Sequence, residues 1–229
     1  MTPTETLRRR LPSWLFRYLL SFEAGIDSAV LGFARTLPQG ARVLDAGAGE
    51  GQYRAQFTRQ SYVGFDLGIG DREWDYSGLD VIGDLSHMPF CNGSFNAVVN
   101  IVTLEHLTEP WAAVSEMERV LAPGGKVLIV APQDWEVHQA PHDYFRYTRY
   151  GLRHLLERAG FTDIHVFPMG GFFRVVSRRL LTAPRMFHGW RRWLIAPFFV
   201  APAVVLPLFD SLDPNRDFTL GYTCTARKP

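Results

Sequence analysis

The stretch that most restricts the fold is Arg42-Val-Leu-Asp45, followed at once by Ala46-Gly-Ala-Gly-Glu-Gly51. A short apolar run suffices for a buried strand, and the glycines demand a tight turn directly after it. Glycine suits such a turn because it accepts positive φ and lets a ligand approach the backbone closely. The plan recurs. Tyr62-Val-Gly-Phe-Asp66 reads as a second strand that also closes on a carboxylate, Val81-Ile-Gly-Asp84 as a third and Phe95-Asn-Ala-Val-Val-Asn100 as a fourth. Residues 126–131, 164–167 and 218–226 supply three more. Helical patterns lie between them: one after the glycine turn with Tyr53 and Phe57 at i, i+4, one over 110–121 stopped by Pro123-Gly-Gly125, and one over 151–159 stopped by Gly160. Strands alternating with helices imply an α/β fold, a doubly wound and mostly parallel seven-stranded sheet with helices on both faces. In such sheets ligands sit outside the carboxyl ends of the strands, where the strand order reverses. Asp45, Asp66, Asp84 and Asn100 therefore become the first candidates for chemistry.

The chain has 229 residues, 47% of them hydrophobic, enough for one large core, with no linker or repeat to divide it. We read 1–40 as an N-terminal helical cap, 41–169 as the core, 170–216 as an insertion and 217–229 as the final strand of a single domain. The cap begins as two helical stretches, 13–23 with Ser13 as N-cap and 24–36. Arg17, Glu23 and Asp27 interrupt any signal-like apolar run, so this is helix and not a targeting peptide. A net charge of +1 gives no nucleic-acid-coating surface. Cys91 and Cys224 make neither a disulfide framework nor a zinc site, which fits a reducing, cytoplasmic setting.

Glycines at 47, 49 and 51 depart from the dinucleotide fingerprint, which wants Gly or Ala where Gln52 stands. A helix opening after the turn would offer free N–H groups to a carboxylate. Asp66, about 20 residues after the first glycine, is placed to accept both hydroxyls of a ribose. That pairing serves a nicotinamide cofactor as well as any other adenosine-bearing one.

The nine residues Val43-Leu-Asp-Ala-Gly-Ala-Gly-Glu-Gly51 resemble motif I of class I S-adenosylmethionine-dependent methyltransferases. Three further blocks resemble that family in the same order: Asp84-Leu-Ser-His-Met-Pro-Phe90, Phe95 through His106, and Glu118 through Ile129. Together they are similar to the type 11 group of small-molecule methyltransferases. The resemblance implies a Rossmann-like fold and S-adenosyl-L-methionine as cofactor. It also implies that Asp45, Gly47 and Gly49 hold the methionyl part, Asp66 the ribose with Leu67 beside the adenine, and Asp84 and Leu85 the adenine edge. Asn100 would orient the methionyl end or the acceptor, or serve as a plain strand-end polar residue. Asn96 stands where related sequences often carry aspartate, a position with a structural role.

Methyl transfer from a sulfonium requires alignment, plus a base when the acceptor is a hydroxyl or an ammonium. Two groups of side chains follow the fourth and fifth strands: Glu105-His106, and Gln133 through Tyr147 with His138, His142, Asp143, Tyr144 and Arg146. His142 is the first choice for general base, Tyr144 for an orienting hydroxyl, and His106 a further candidate, although capping or packing would equally account for Glu105 and His106. His138 and His142 have metal-ligand spacing, but Pro141 prevents one helix from displaying both, so no metal is expected. His142-Asp-Tyr-Phe-Arg-Tyr-Thr148 and the residues from Gly151 to Phe161 also resemble methyltransferases of bacterial polysaccharide or glycolipid assembly, which implies a small-molecule or glycan/lipid-linked acceptor.

The insertion holds an uncharged run, Trp193 through Phe209, shorter than the roughly 20 residues of a spanning helix. It is interrupted by Pro197, Pro202 and Pro207, and both ends return to one sheet, so a single crossing is not expected. Three readings stand: a lid or packing layer, a homodimer contact, or a surface over 178–209 lying peripherally on the inner membrane. Arg178, Arg179, Arg191 and Arg192 beside Trp190 and Trp193 suit the last. Two rival functions stand against methyl transfer. One is an NAD-dependent sugar-nucleotide oxidoreductase or epimerase, disfavoured by Gln52 and by the lack of a Tyr-x-x-x-Lys pair in a suitable helix. The other is a non-catalytic cofactor-binding scaffold.

Overall fold

The computed structural model describes residues 11–70 and 74–229; the Arg8-Arg9-Arg10 cluster lies outside the described residues. The described residues gather into two compact units: Ile26–Phe167 with Tyr222–Pro229, and the residues up to Gly25 with Pro168–Gly221.

The first unit is built on seven strands: β1 (Arg42–Ala46), β2 (Ser61–Asp66), β3 (Val81–Ile82), β4 (Phe95–Ile101), β5 (Leu121–Pro132), β6 (Thr162–Pro168) and β7 (Gly221–Arg227). They are ordered β3-β2-β1-β4-β5-β7-β6. The pairs β1–β2, β1–β4, β2–β3 and β4–β5 are parallel. This is the Rossmann-like α/β sheet implied by the alternating pattern. β1 and β4 carry unbroken buried runs because both faces are covered, as central parallel strands require. The chain moves outward from β1 through β2 to β3, then crosses back to place β4 on the other side of β1. The order therefore reverses between β1 and β4, and the ligand crevice of such sheets opens at their carboxyl ends.

Helix α3 (Pro110–Val120) buries Ala113, Val114, Met117 and Val120, one face at helical spacing. Helix α4 (Arg149–Arg158) starts two residues before Gly151, because the Thr148 hydroxyl accepts from the Gly151 amide at 3.1 Å and so acts as the N-cap. After the glycine turn the structure departs from expectation: only a 3₁₀ turn, Arg54–Gln56, follows. Gly51 at φ +74° and a packed Phe57 end the regular backbone early. Asn96 accepts the Arg42 amide at 2.8 Å, so the amide oxygen fills the structural role expected at this position.

In the second unit, α1 (Ser13–Leu19) is preceded by Pro12 as its cap residue, so Ser13 is the first helical residue and not the N-cap. Leu20 separates α1 from α2 (Ser21–Arg35), which runs on into the first unit. The insertion folds as α5 (Phe172–Thr182) and α6 (Trp190–Val205), the latter prolonged by a 3₁₀ stretch over Leu206–Leu212. Asp210 and Asp213 cap α5 from a distance. The amides of Gly171 and Arg174 donate to Asp210 at 3.1 and 3.2 Å, and that of Phe172 to Asp213 at 2.8 Å. The Ser177 hydroxyl bonds the Ala203 carbonyl at 2.6 Å, and the Tyr18 hydroxyl bonds that of Val204 at 2.6 Å. Pro197 and Pro202 do not break α6. Each removes one amide donor and crowds a carbonyl of the preceding turn, yet the helix continues through both. Trp190–Leu212 is consequently long and apolar enough to cross a membrane by length and composition, contrary to the expectation from its prolines.

Candidate active site at the carboxyl ends of the strands

The glycine turn is fixed by the strands beside it. Gly47 and Ala48 donate to the Phe65 carbonyl at the end of β2. The Asp66 carboxylate accepts the amides of Gly49 and Gly68 at 2.9 and 2.8 Å. Each carboxylate oxygen keeps a second lone pair, so the role expected with a ribose remains open to it. Two glycines are required by space as well as by φ. A Cβ on Gly47 (φ +95°) would collide with the Thr103 side chain, and one on Gly49 (φ +54°) would meet the Trp74 ring at 2.9 Å.

Asp45 is buried at the end of β1. Its Oδ2 accepts the Tyr62 hydroxyl at 2.5 Å, while Oδ1 has no hydrogen-bond partner. Burial pushes this carboxyl up to about 7, against the lowering pull of the Tyr62 bond. Tyr62 itself is raised, by its own burial first and then by the Asp45 charge. Across the switch point, Asn100 is completely buried at the end of β4; its amide nitrogen donates to the Ala46 carbonyl at 2.6 Å and its Oδ1 is unpartnered. Two orphan acceptors thus lie at the ends of the two strands between which the sheet reverses.

Asp84 is half exposed and accepts the Ser86 amide at 2.8 Å, a turn bond that uses one of its oxygens. Leu67 is exposed, but the Leu85 side chain is packed in the core. A contact from Leu85 to an adenine edge would have to come from its backbone.

The loop after β5 is more highly built than its sequence suggests. The Arg146 guanidinium grips Asp143 with two bonds of 2.6 and 2.8 Å and donates to the carbonyls of Trp135 and Glu136. That guanidinium holds the Asp143 carboxyl far below its usual range. Asp143 also accepts the His138 amide at 2.9 Å. The amides of Tyr144 and Phe145 donate to the Glu105 carbonyl, and the Tyr147 hydroxyl to the Leu104 carbonyl at 2.9 Å. The loop after β5 is thereby laced to the 3₁₀ turn Leu104–His106 that follows β4.

On this loop His142 and Tyr144 are exposed and paired, Nδ1 to hydroxyl at 3.3 Å. His106 is turned away from the role of base. Its Nδ1 bonds the His142 carbonyl, its Nε2 is sealed from solvent, and burial lowers its basicity. Tyr62, Trp74 and Thr103 carry no signal in the sequence that marks them as site residues. Glu105 carries one only, its adjacency to His106.

Residues 44–129 match the methyltransferase domain family. An uncharacterized methyltransferase of Mycobacterium sp. (strain KMS) is 34% identical over 101 residues, 41% of this chain and 40% of that protein. A demethylmenaquinone methyltransferase of Renibacterium salmoninarum is 36% identical over 98 residues, 39% of this chain and 40% of that protein. The chain thus spans about 40% of the length of these curated relatives. In fold it is similar to the phosphoethanolamine N-methyltransferase 2 of Haemonchus contortus solved with S-adenosyl-L-methionine, with a TM-score of 0.57 and 19% identity over 90% of this chain and 52% of that one. Residues 44–129, with the glycine turn near their start, thus match the methyltransferase domain family, and the sheet around them has the fold of a solved methyltransferase.

Proposed function

We propose that this protein moves a methyl group from S-adenosylmethionine to a small-molecule or glycan/lipid-linked acceptor received by the loops after β4 and β5. The observation that carries the reading is the pair of buried, unpartnered acceptors, Asp45 Oδ1 and Asn100 Oδ1, at the switch point of a matched methyltransferase domain. Such atoms are expensive to bury unless a donor completes them, and the ammonium of a methionyl group is a donor of fitting charge. The cradle fits as well, since a Cβ at Gly47 or Gly49 would collide with Thr103 or Trp74.

S-adenosylmethionine, when bound, supplies a methyl already activated by its sulfonium. The residues of the chain then have two tasks, alignment and, for a hydroxyl or ammonium acceptor, proton removal. Asp66 would accept from the ribose and the Leu85 amide would meet the adenine edge. His142, steadied by Tyr144, would take the acceptor proton. Calorimetry tests the cofactor: S-adenosylhomocysteine should bind and NAD should not, and the reverse result would overturn the reading. Turnover of labelled methyl donor on fractionated lipid and glycan extracts tests the acceptor. His142→Gln should lower that turnover by about 100-fold or more with cofactor affinity unchanged.

A lipid-linked acceptor, and a position on the inner membrane, are favoured by the second unit. Trp190, Trp193, Phe198 and Leu208 are each more than two-thirds exposed. Arg191 and Arg192 are exposed beside them, with Arg192 over the Trp193 ring at 5.9 Å. Arg178 does not contribute to this surface, because it is paired with Glu23 at 2.8 Å.

A further inference from the structure

The lacing of the loop to the turn after β4 brings together three side chains that the proposed methyl transfer does not use. Glu105 is fully buried, and neither of its carboxylate oxygens has a hydrogen-bond partner. Facing its Oε1 are His138 Nε2 at 3.7 Å and His106 Nε2 at 3.9 Å, both also sealed and unpartnered. One donor atom from each of the three residues lies within 4.8 Å of the others. Four unsatisfied polar atoms around one point is an arrangement that folding alone penalises.

The outer nitrogens resolve what the inner ones can do. His106 Nδ1 lies against the His142 carbonyl at 2.5 Å and His138 Nδ1 against the Glu136 carbonyl at 3.1 Å. A carbonyl only accepts, so both Nδ1 atoms carry a proton, and in the neutral imidazoles both Nε2 atoms turn a lone pair inward. Carbonyl or carboxylate support on the outer nitrogen is the usual second shell of a metal-bound histidine, and Asp143 adds a carboxylate oxygen 3.5 Å from His138 Nδ1.

We infer that Glu105, His106 and His138 form a binding site for a divalent transition metal, zinc by preference. Bonds of about 2.0–2.2 Å in a tetrahedron set donor atoms about 3.4 Å apart, whereas octahedral coordination sets them at about 3 Å. The observed 3.7 and 3.9 Å stand nearer the tetrahedral value. Two imidazoles and one carboxylate are also the nitrogen-and-oxygen set that zinc takes. A water would complete the tetrahedron. Because the inward atoms are sealed from solvent, the site's work is to clamp the acceptor loop onto the turn after β4, holding His142 and Tyr144 in place.

Tag-free, chelator-stripped full-length protein titrated with zinc chloride should take up one equivalent. Cobalt in its place should give the intense visible bands of four-coordination. Affinity should fall by about 100-fold in Glu105→Gln or His138→Gln and hold in the exposed control His165→Gln. Zinc should also slow proteolytic cutting within 133–147. Absence of zinc uptake by the unaltered protein overturns the site whatever the variants do. Equal affinity in Glu105→Gln, loss in His165→Gln, or a six-coordinate cobalt spectrum overturns it too.

Discussion

At the scale of single residues, Asp45 is a carboxylate buried at a strand end with one oxygen unpartnered. A carboxylate in apolar surroundings tends to keep its proton, and here the folded group titrates near 7 while the unfolded one titrates near 3.8. A group raised in this way stabilises the fold fully below its unfolded value and loses that contribution as pH rises through the folded one. Stability should therefore fall from pH 4 to pH 7, by on the order of 3 kcal/mol from this residue. Urea unfolding of the unaltered protein and of Asp45→Asn measures it. The asparagine variant should show a flatter dependence over that range, and matching slopes would contradict the assignment. Asp45 is legible in sequence because a carboxylate closing an apolar run just before glycines is out of place in a core and points to a ligand. Its partner Tyr62 is not, since a tyrosine in a β-strand is ordinary until the neighbouring strand's register brings its hydroxyl to Asp45.

Elements tell the same story with different failures. The strands are readable because parallel strands buried on both faces leave continuous apolar runs, and β1, β4 and the body of β5 fall where those runs do. The helix expected after the glycine turn does not form: Tyr53 and Phe57 have helical spacing, yet only Arg54–Gln56 closes into a turn. Spacing reports which side chains could share a face, not whether the backbone between them winds. The cap of α5 is invisible in sequence for another reason: its donors and acceptors are some 40 positions apart, Gly171 to Asp210. Asp210→Ala removes the acceptor for the amides of Gly171 and Arg174 and the ion partner of the Arg174 guanidinium at 3.2 Å. Loss of a cap alone is worth about 1 kcal/mol, and an uncompensated partner adds to it. A decrease of about 2 kcal/mol in chemical denaturation is expected, with the helical signal of the second unit lost first. No change would mean that the cap is replaced by water.

For the whole molecule, the proposed membrane contact is the reading to test, since the second unit exposes several large apolar side chains. Exposed Trp190, Trp193, Phe198 and Leu208 with adjoining arginines fit a bilayer interface of negative charge. Sedimentation with vesicles of phosphatidylglycerol and phosphatidylcholine should carry the protein down. Trp193→Ser with Phe198→Ser should leave it in the supernatant, and high salt should weaken the binding. Failure of the unaltered protein to bind, with a concentration-dependent dimer that the same double variant dissolves, would assign this face to a second copy instead.

The strand order also dictates a sequence of events during synthesis. β6 has β7 as its one neighbour in the sheet, and β7 separates it from β5. When Thr162–Pro168 leaves the ribosome, the strand that must fill the gap does not yet exist, and α5 and α6 are made before it. The nascent chain therefore shows its most apolar helix while two strand edges still stand open, the condition in which chains adhere to one another. A bilayer that received α6 at that moment would shelter the chain until its last strand arrived.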